Sequence, residues 1–200
     1  MVEGRKGERM IIIMGRAGTG KTSLVNELVK RGYEKIKTCT TRPIRDGEED
    51  GVDYFFLTDD QFRKYAQNNY FAEIKRYYTT EGEWLYGTPK VELLSSDEKS
   101  VIILTPDGVR AVKPLLDSRG IHYTVVLIGA KASVIKRRMI QRGDDMDEII
   151  RRIRADDEDF EDCEEFVNYT LSNAGSIEDL ANELERKLQE LKEDNDGSCD

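Results

Sequence analysis

The stretch GRAGTGKT, residues 15–22, constrains this chain more than any other, because it fits G-x-x-x-x-G-K-[ST]. In front of it lies MIIIMG, a short apolar run rich in β-branched residues and stopped by glycine, which predicts a buried parallel strand. Behind it, Leu24, Val25, Leu28 and Val29 share one helical face over residues 22–31, and Gly32 follows as the stop. Strand, glycine loop and helix in that order are the context in which the pattern binds phosphate. Gly15, Gly18 and Gly20 let backbone N–H groups turn inward around an anion, with Arg16, Ala17 and Thr19 completing the loop. The helix aims its N-terminus at the same charge. Lys21 is placed for the β- and γ-phosphates of a nucleotide, and Thr22 for Mg²⁺. The loop alone leaves GTPase, kinase and ATPase open, although the N-K-x-D signature of a GTPase does not occur.

Further along, β-like and helical segments alternate. Strands are expected at residues 33–40, 71–78, 101–105, 124–129 and 166–173. Helices are expected at residues 58–69, where Thr58 and Gln61 form a capping box, and from Thr88-Pro89, read as N-cap and first helical residue. Others are expected at residues 108–116, 132–142, 146–163 and 176–191, the last with Ser176 as N-cap and Glu178 and Asp179 in its first turn. The alternation predicts an α/β fold with a parallel sheet flanked by helices. Residues 39–86 break the rhythm and read as an α+β insert on the sheet's carboxyl edge, where such sheets bind ligands. Residues 137–163 form a second, charged excursion. The reading divides the chain into a leader (1–9, disordered), a core (10–38, 87–136 and 164–192), the insert (39–86), the excursion (137–163) and a tail (193–200).

Composition narrows the partners. The 200 residues suffice for one α/β domain, and no apolar run approaches a membrane span. The formal charge of −9 argues against nonspecific nucleic-acid binding. Arg16, Lys21, Arg42, Arg45, Arg142, Arg151 and Arg152 would nevertheless make a local basic pocket if they converge, which suits a small anionic substrate. The acids beyond Asp156 read as a solvated helix face. Cys39, Cys163 and Cys199 are sparse and not in C-x-x-C pairs, so free thiols in a cytoplasmic setting are expected. The single histidine, His122, reads as structural.

Downstream of the glycine loop, residues 40–56 read TTRPIRDGEEDGVDYFF. Alone, this is a charged surface hairpin. A phosphate loop followed by T-T-R-x-x-R-x-G-E-x-x-G-x-D-Y-x-F resembles the guanylate kinases. Later landmarks follow in order: FAE with Glu73, LYGTP with Tyr86 and Thr88, RRMIQRG with Arg138 and Arg142, RRI with Arg152, and LSNAG with Asn173. The resemblance spans roughly residues 10–188. It implies the nucleoside monophosphate kinase fold, with residues 39–86 as the acceptor-binding insert and 137–163 as a lid. It implies ATP as phosphoryl donor, Mg²⁺ as cofactor, nucleotides as the partners, and a monomer or weak homo-oligomer.

The resemblance also implies roles. Arg42, Arg45, Tyr54 and Tyr86 match the clamp on the acceptor's monophosphate, with Glu48 as a prop for the arginines. Arginine forks suit phosphate oxygens, and a phenol adds a neutral donor. Thr38, Glu73, Thr88 and Asp107 match the base-reading set. Guanine offers two adjacent N–H donors that one carboxylate can accept, and adenine would leave that carboxylate unpaired. Arg138 and Asn173 fall with the donor-binding set, and Lys21, Arg142 and Arg152 with the catalytic one. The chain departs from the family in three places. Thr105 stands where an acid is expected, residues 73–86 are longer than usual, and the lid is one residue short, so that Arg151 could replace Arg152. A kinase for another nucleoside monophosphate, and a catalytically silent binding module, are the competing readings. The intact loop speaks against the second.

Overall fold

The computed structural model describes residues 9–79, 82–141, 143 and 145–196. From the start, β1 (Met10–Met14) leads through the glycine loop into α1 (Lys21–Lys30), and β2 (Glu34–Lys35) follows. Next come β3 (Cys39–Thr40), β4 (Phe55–Phe56), α2 (Asp59–Gln67) and the hairpin strands β5 (Phe71–Thr79) and β6 (Gly82–Pro89). The second half holds α3 (Lys90–Leu94), β7 (Ser100–Ile103), α4 (Pro106–Ser118), β8 (Tyr123–Gly129), α5 (Ala132–Gln141) and α6 (Met146–Asp159). A 3-10 turn at Cys163–Phe166, β9 (Tyr169–Ser172) and α7 (Ile177–Asp196) follow.

The core sheet runs β2-β7-β1-β8-β9, and every pairing in it is parallel. Both faces are covered, which is why β1 reads as an unbroken apolar run. Met10, Ile12 and Met14 pack with Val109, Val112 and Leu116 of α4. Ile11 and Ile13 face Leu24, Val25 and Leu28 of α1 and Leu180 and Leu184 of α7 on the other side. Val29, counted with the apolar face of α1, is exposed instead. From β1 the chain crosses to β2 at one edge, whereas from β7 it crosses back to β8 on the other side of β1. The glycine loop therefore lies at the carboxyl end of the sheet where the strand order reverses, the place where open α/β sheets bind ligands.

The second sheet runs β4-β3-β6-β5, with β3 and β4 parallel and the other pairings antiparallel. It covers a small core of its own, formed by Cys39, Phe71 and Leu85 with Phe62 from α2. The Thr58–Gln61 capping box starts α2 as its sequence predicts.

Several boundaries differ from expectation for identifiable reasons. Residues 33–40 are two strands in two sheets: β2 pairs with Ser100 and Val101, whereas β3 pairs with Phe55 and Gly87. Thr88 is not a helix cap. The β5–β6 ladder runs on to Pro89, Thr88 lies opposite Glu73 within it, and α3 starts at Lys90. Helix α4 starts at Pro106 because the Thr105 hydroxyl accepts the Gly108 N–H at 3.2 Å. Helix α6 ends at Asp159, and Cys163 belongs to the 3-10 turn. Among the described residues, no helix is long and apolar enough to cross a membrane.

Candidate active site

The glycine loop is held through its carbonyls by side chains from elsewhere in the fold. The buried Asn173 side chain donates to Thr19 O at 2.7 Å, and Arg138 of α5 donates to the same oxygen at 3.2 Å. Gly20 is left-handed, with φ +97°, and a Cβ there would stand 2.3 Å from Asn173 Nδ2. Only glycine fits that backbone and that neighbour together. Lys21 Nζ folds over the loop and donates to Gly15 O at 2.6 Å and Arg16 O at 2.9 Å. Thr22 is exposed in the first turn of α1. Arg138 and Asn173, read as donor-site residues, thus bind the loop's own carbonyls.

The TTRPIRDGEEDGVDYFF stretch builds a rigid arginine. Arg42 is 3% exposed, and its fork is held on three sides. Nε donates to the Tyr86 hydroxyl at 3.0 Å, Nη1 to Pro43 O at 2.7 Å and Nη2 to Glu48 Oε1 at 2.7 Å. The guanidinium also lies over the Tyr54 and Phe56 rings, whose edges meet. Five donors less three leaves two N–H bonds for a ligand. The second Glu48 oxygen accepts the Arg45 N–H at 2.9 Å, so one carboxylate braces both arginines. Burial works against that carboxylate, yet Arg42 and the Arg45 amide hold its pKa below the usual range. Asp53 accepts from the Glu49 amide and is a prop of the turn. The Arg45 side chain is exposed at the rim.

Strand alternation assembles the neighbouring wall. In the β5–β6 ladder Glu73 lies opposite Thr88, Lys75 opposite Tyr86 and Tyr77 opposite Trp84, so these six side chains share one face. The Thr88 hydroxyl donates to Glu73 Oε1 at 2.6 Å. Burial pushes the Glu73 carboxyl above its ordinary pKa, against the pull of Thr88 and Lys75. Tyr77 sets its ring edge-on to Tyr86, with 5.4 Å between centroids, and burial raises its pKa as well. Thr38 is half-buried just ahead of β3, with its carbonyl accepting the Phe55 N–H. Asp107 does not join Glu73 and Thr88 directly. It is tied to Lys75 at 3.1 Å and to Arg110 at 3.3 Å, and reaches that wall through Lys75. Sequence reading did not single out Lys75, Tyr77 or Trp84 for a role. Their signal is the period of two that they share with Glu73, Tyr86 and Thr88.

Helix α6 departs from one expectation in part. Its acids are not a uniformly solvated face. Asp156 Oδ2 accepts the Ala17 N–H of the glycine loop at 2.6 Å, Asp157 pairs with Arg16, and Asp159 meets Lys75 at 2.9 Å. Asp157 and Glu158 are both exposed, as expected of a solvated face. One turn of helix thus touches both the phosphate loop and the hairpin wall. Helix α5 joins it through Ile135 and Met139, packed on the buried Ile149 beside Ala17. Ile149, Arg152, Asp156 and Asp159 follow the spacing of one helix face. Arg151 lines a shallow cavity on another face with Asp147, Arg154 and Glu158. Arg142 lies outside the described residues, as does Cys199. Cys39 and Cys163 are buried free thiols, and burial pushes Cys39 up to about 12.

Comparison with known proteins places these features in context. Residues 7–191 match the sequence model of the guanylate kinase family. The guanylate kinase of Carboxydothermus hydrogenoformans is 31% identical over 185 residues, covering 90% of this chain and 86% of that protein. That of Tropheryma whipplei is 31% identical over 88% of this chain and 90% of its own length. Among solved structures, the guanylate kinase of Anaplasma phagocytophilum superposes with a TM-score of 0.67 at 19% identity, over 94% of this chain and 88% of that one. A gluconokinase from Sinorhizobium meliloti 1021 shares the fold more loosely, with a TM-score of 0.57 at 18% identity, over 98% of this chain and all of that one.

Proposed function

The chain belongs to the guanylate kinase family, and on that premise we propose that it transfers the γ-phosphoryl group of ATP to GMP or dGMP, giving ADP and GDP or dGDP. The observation that carries the reading is the reach of α6. Asp156 and Asp159, one turn apart, contact the phosphate loop and the hairpin wall respectively. A donor in the loop and an acceptor on the wall would therefore meet within one turn of helix.

In this reading residues 39–86 are the acceptor insert, and residues 137–163 the lid. Arg42, Arg45 and the Tyr54 and Tyr86 hydroxyls hold the acceptor's phosphate, with Glu48 orienting the arginines. Glu73 accepts from the two guanine donors, the Thr88 hydroxyl holds Glu73 in place, and Thr38 donates to O6. The nucleophile is a phosphate oxygen that is already anionic, so no strong base is needed. It attacks the γ-phosphorus in line, and the β-phosphate oxygen of ADP leaves with the bond electrons. Lys21 exchanges the loop carbonyls it now holds for β- and γ-oxygens. The face it shares with Asp156 favours Arg152 over Arg151 as the lid arginine, and Arg142 is proposed as a second one. Mg²⁺ suits the donor set at hand, one exposed Thr22 hydroxyl beside the phosphates, since this ion keeps waters and takes few protein ligands. When bound it would neutralise charge on the phosphates. Buried, unpaired Cys39 and Cys163 support a reducing, cytoplasmic setting and a monomer or weak homo-oligomer is proposed.

Incubation with Mg·ATP and, in turn, GMP, dGMP, AMP, CMP, UMP and dTMP, with ADP formation as readout, tests this directly. Guanine acceptors are expected to dominate, and absence of any acceptor-dependent ADP would overturn the enzymatic reading. The Glu73 site adds a pH signature. A protonated Glu73 cannot accept from both guanine donors, and its pKa is raised, so GMP affinity is full above that pKa and falls as pH drops through it. The KM for GMP should therefore climb on the acid side sooner than an ordinary glutamate allows. Glu73→Gln should flatten that limb and raise KM at neutral pH by roughly 10- to 100-fold, the worth of a charge-assisted hydrogen bond. An acid limb that persists in the variant would assign it to another group.

A further inference from the structure

The mechanism above gives α6 an arginine and leaves its acids unused. Yet Asp156 makes one of the shortest polar contacts at the phosphate loop, 2.6 Å from the Ala17 nitrogen. That amide belongs to the glycine loop that the reading above assigns to the donor phosphates, and the fields of Lys21 and Arg16 fall on the same carboxylate. A carboxylate offers what a phosphate offers on a smaller scale, namely charged oxygens that accept from N–H groups. Asp156 is steadied by its neighbours. Asp157 pairs with Arg16 of the same loop, and Asp159 pairs with Lys75, which also binds Asp107 of α4.

We propose that Asp156 is a resident anion of the phosphate loop, which competes with the phosphates of the donor nucleotide and so determines donor affinity. The proposal rests on the reading of the loop as the donor site. One amide cannot serve two acceptors at full strength, and a polyphosphate set beside a retained carboxylate meets like charge. Donor binding therefore requires Asp156 to leave Ala17. The carboxylate is suited to leaving. Burial raises its pKa in spite of the Ala17 amide, Lys21 and Arg16, so the loop does not fully compensate its charge. A polyphosphate, with more oxygens and more charge, reaches loop groups that one carboxylate leaves aside. The charge of Asp156 thus weakens donor binding, whereas a residue that merely props the loop would strengthen it.

The sign of that effect is the test. Dissociation constants for Mg·ATP, for inorganic tripolyphosphate and for GMP are measured by titration calorimetry on the full chain, as wild type, Asp156→Asn and Asp156→Ala. Asparagine keeps the size and an acceptor oxygen but not the charge, and alanine removes both. Both variants are expected to bind ATP and tripolyphosphate about tenfold more tightly, the lower end for a hydrogen bond to a charged group, with GMP affinity unchanged. Equal or weaker binding of both polyphosphates in variants that still melt cooperatively would overturn the proposal and make Asp156 a brace. If wild type and variants alike bind neither polyphosphate, the donor-site reading itself falls, a result distinct from the first. Asp157→Asn, whose partner is an exposed Arg16, should move ATP affinity less than either Asp156 variant.

Discussion

Lys21→Ala should lower ADP formation from ATP and GMP by about 10³-fold or more, on the scale of losing a preorganised cation at a transferring phosphoryl group. Its melting temperature should stay within a few degrees of wild type. The two halves of that expectation have separate causes. Lys21 is the first residue of α1, and its ammonium lies on two loop carbonyls, Gly15 O and Arg16 O, away from the buried clusters. Alanine propagates a helix well, so α1 keeps its start and its buried Leu24, Val25 and Leu28. What goes is a positive charge that the helix N-terminus and the amides cannot replace when charge spreads over the transferring oxygens. A coupled assay for ADP, with a circular dichroism melt on the same preparation, checks both halves. Near-normal turnover would remove Lys21 from the mechanism, whereas lost turnover with a collapsed melt would make it structural.

Arg42→Ala should lower kcat/KM for GMP by about 10²- to 10³-fold, the range seen when one member of a desolvated, hydrogen-bonded charge pair is cut away. Affinity for ATP alone should change little, because no Arg42 contact reaches the glycine loop. Three held N–H bonds give the guanidinium one orientation before any ligand arrives, so little conformational entropy remains to be lost on binding. Truncation also strands Glu48, whose carboxylate then keeps only the Arg45 amide, and the melting temperature should fall. Arg42→Lys separates charge from shape. A single ammonium cannot reach Tyr86, Pro43 and Glu48 together, so lysine should recover only a small part of the loss. Full recovery by lysine would mean that the site needs a charge and not a fork.

The parts that were legible in the sequence are those whose causes lie close together in it. Strand, glycine loop and α1 are specified within residues 10–31, and the Thr58 capping box spans one turn. The two-arginine stretch was legible as a motif, and the buried fork of Arg42 gives its spacing a physical reason: Glu48 sits six residues away, on the return of the same turn. The failures have distant causes. Thr88-Pro89 carries every local mark of a helix start, but a strand partner fifteen residues back claims Thr88 for Glu73. Residues 33–40 look like one strand because nothing local says that Glu34 and Cys39 find partners in different sheets. The acids of α6 resemble any solvated run, since their counterparts, Ala17 and Lys75, lie 139 and 84 residues away.

The hairpin wall has a bearing on how such a pocket can change over time. Its face is counted in steps of two from the ladder's base, where Glu73 meets Thr88, toward the far end, where Thr79 meets Gly82. Residues gained or lost beyond that far end leave the count below it untouched, so the hairpin can vary in reach without altering which side chains share the face of Glu73. A single deletion between Glu73 and Tyr77 would instead turn every later side chain of β5 to the opposite face. Length drift is therefore harmless at one end of this hairpin and abolishes the pocket at the other.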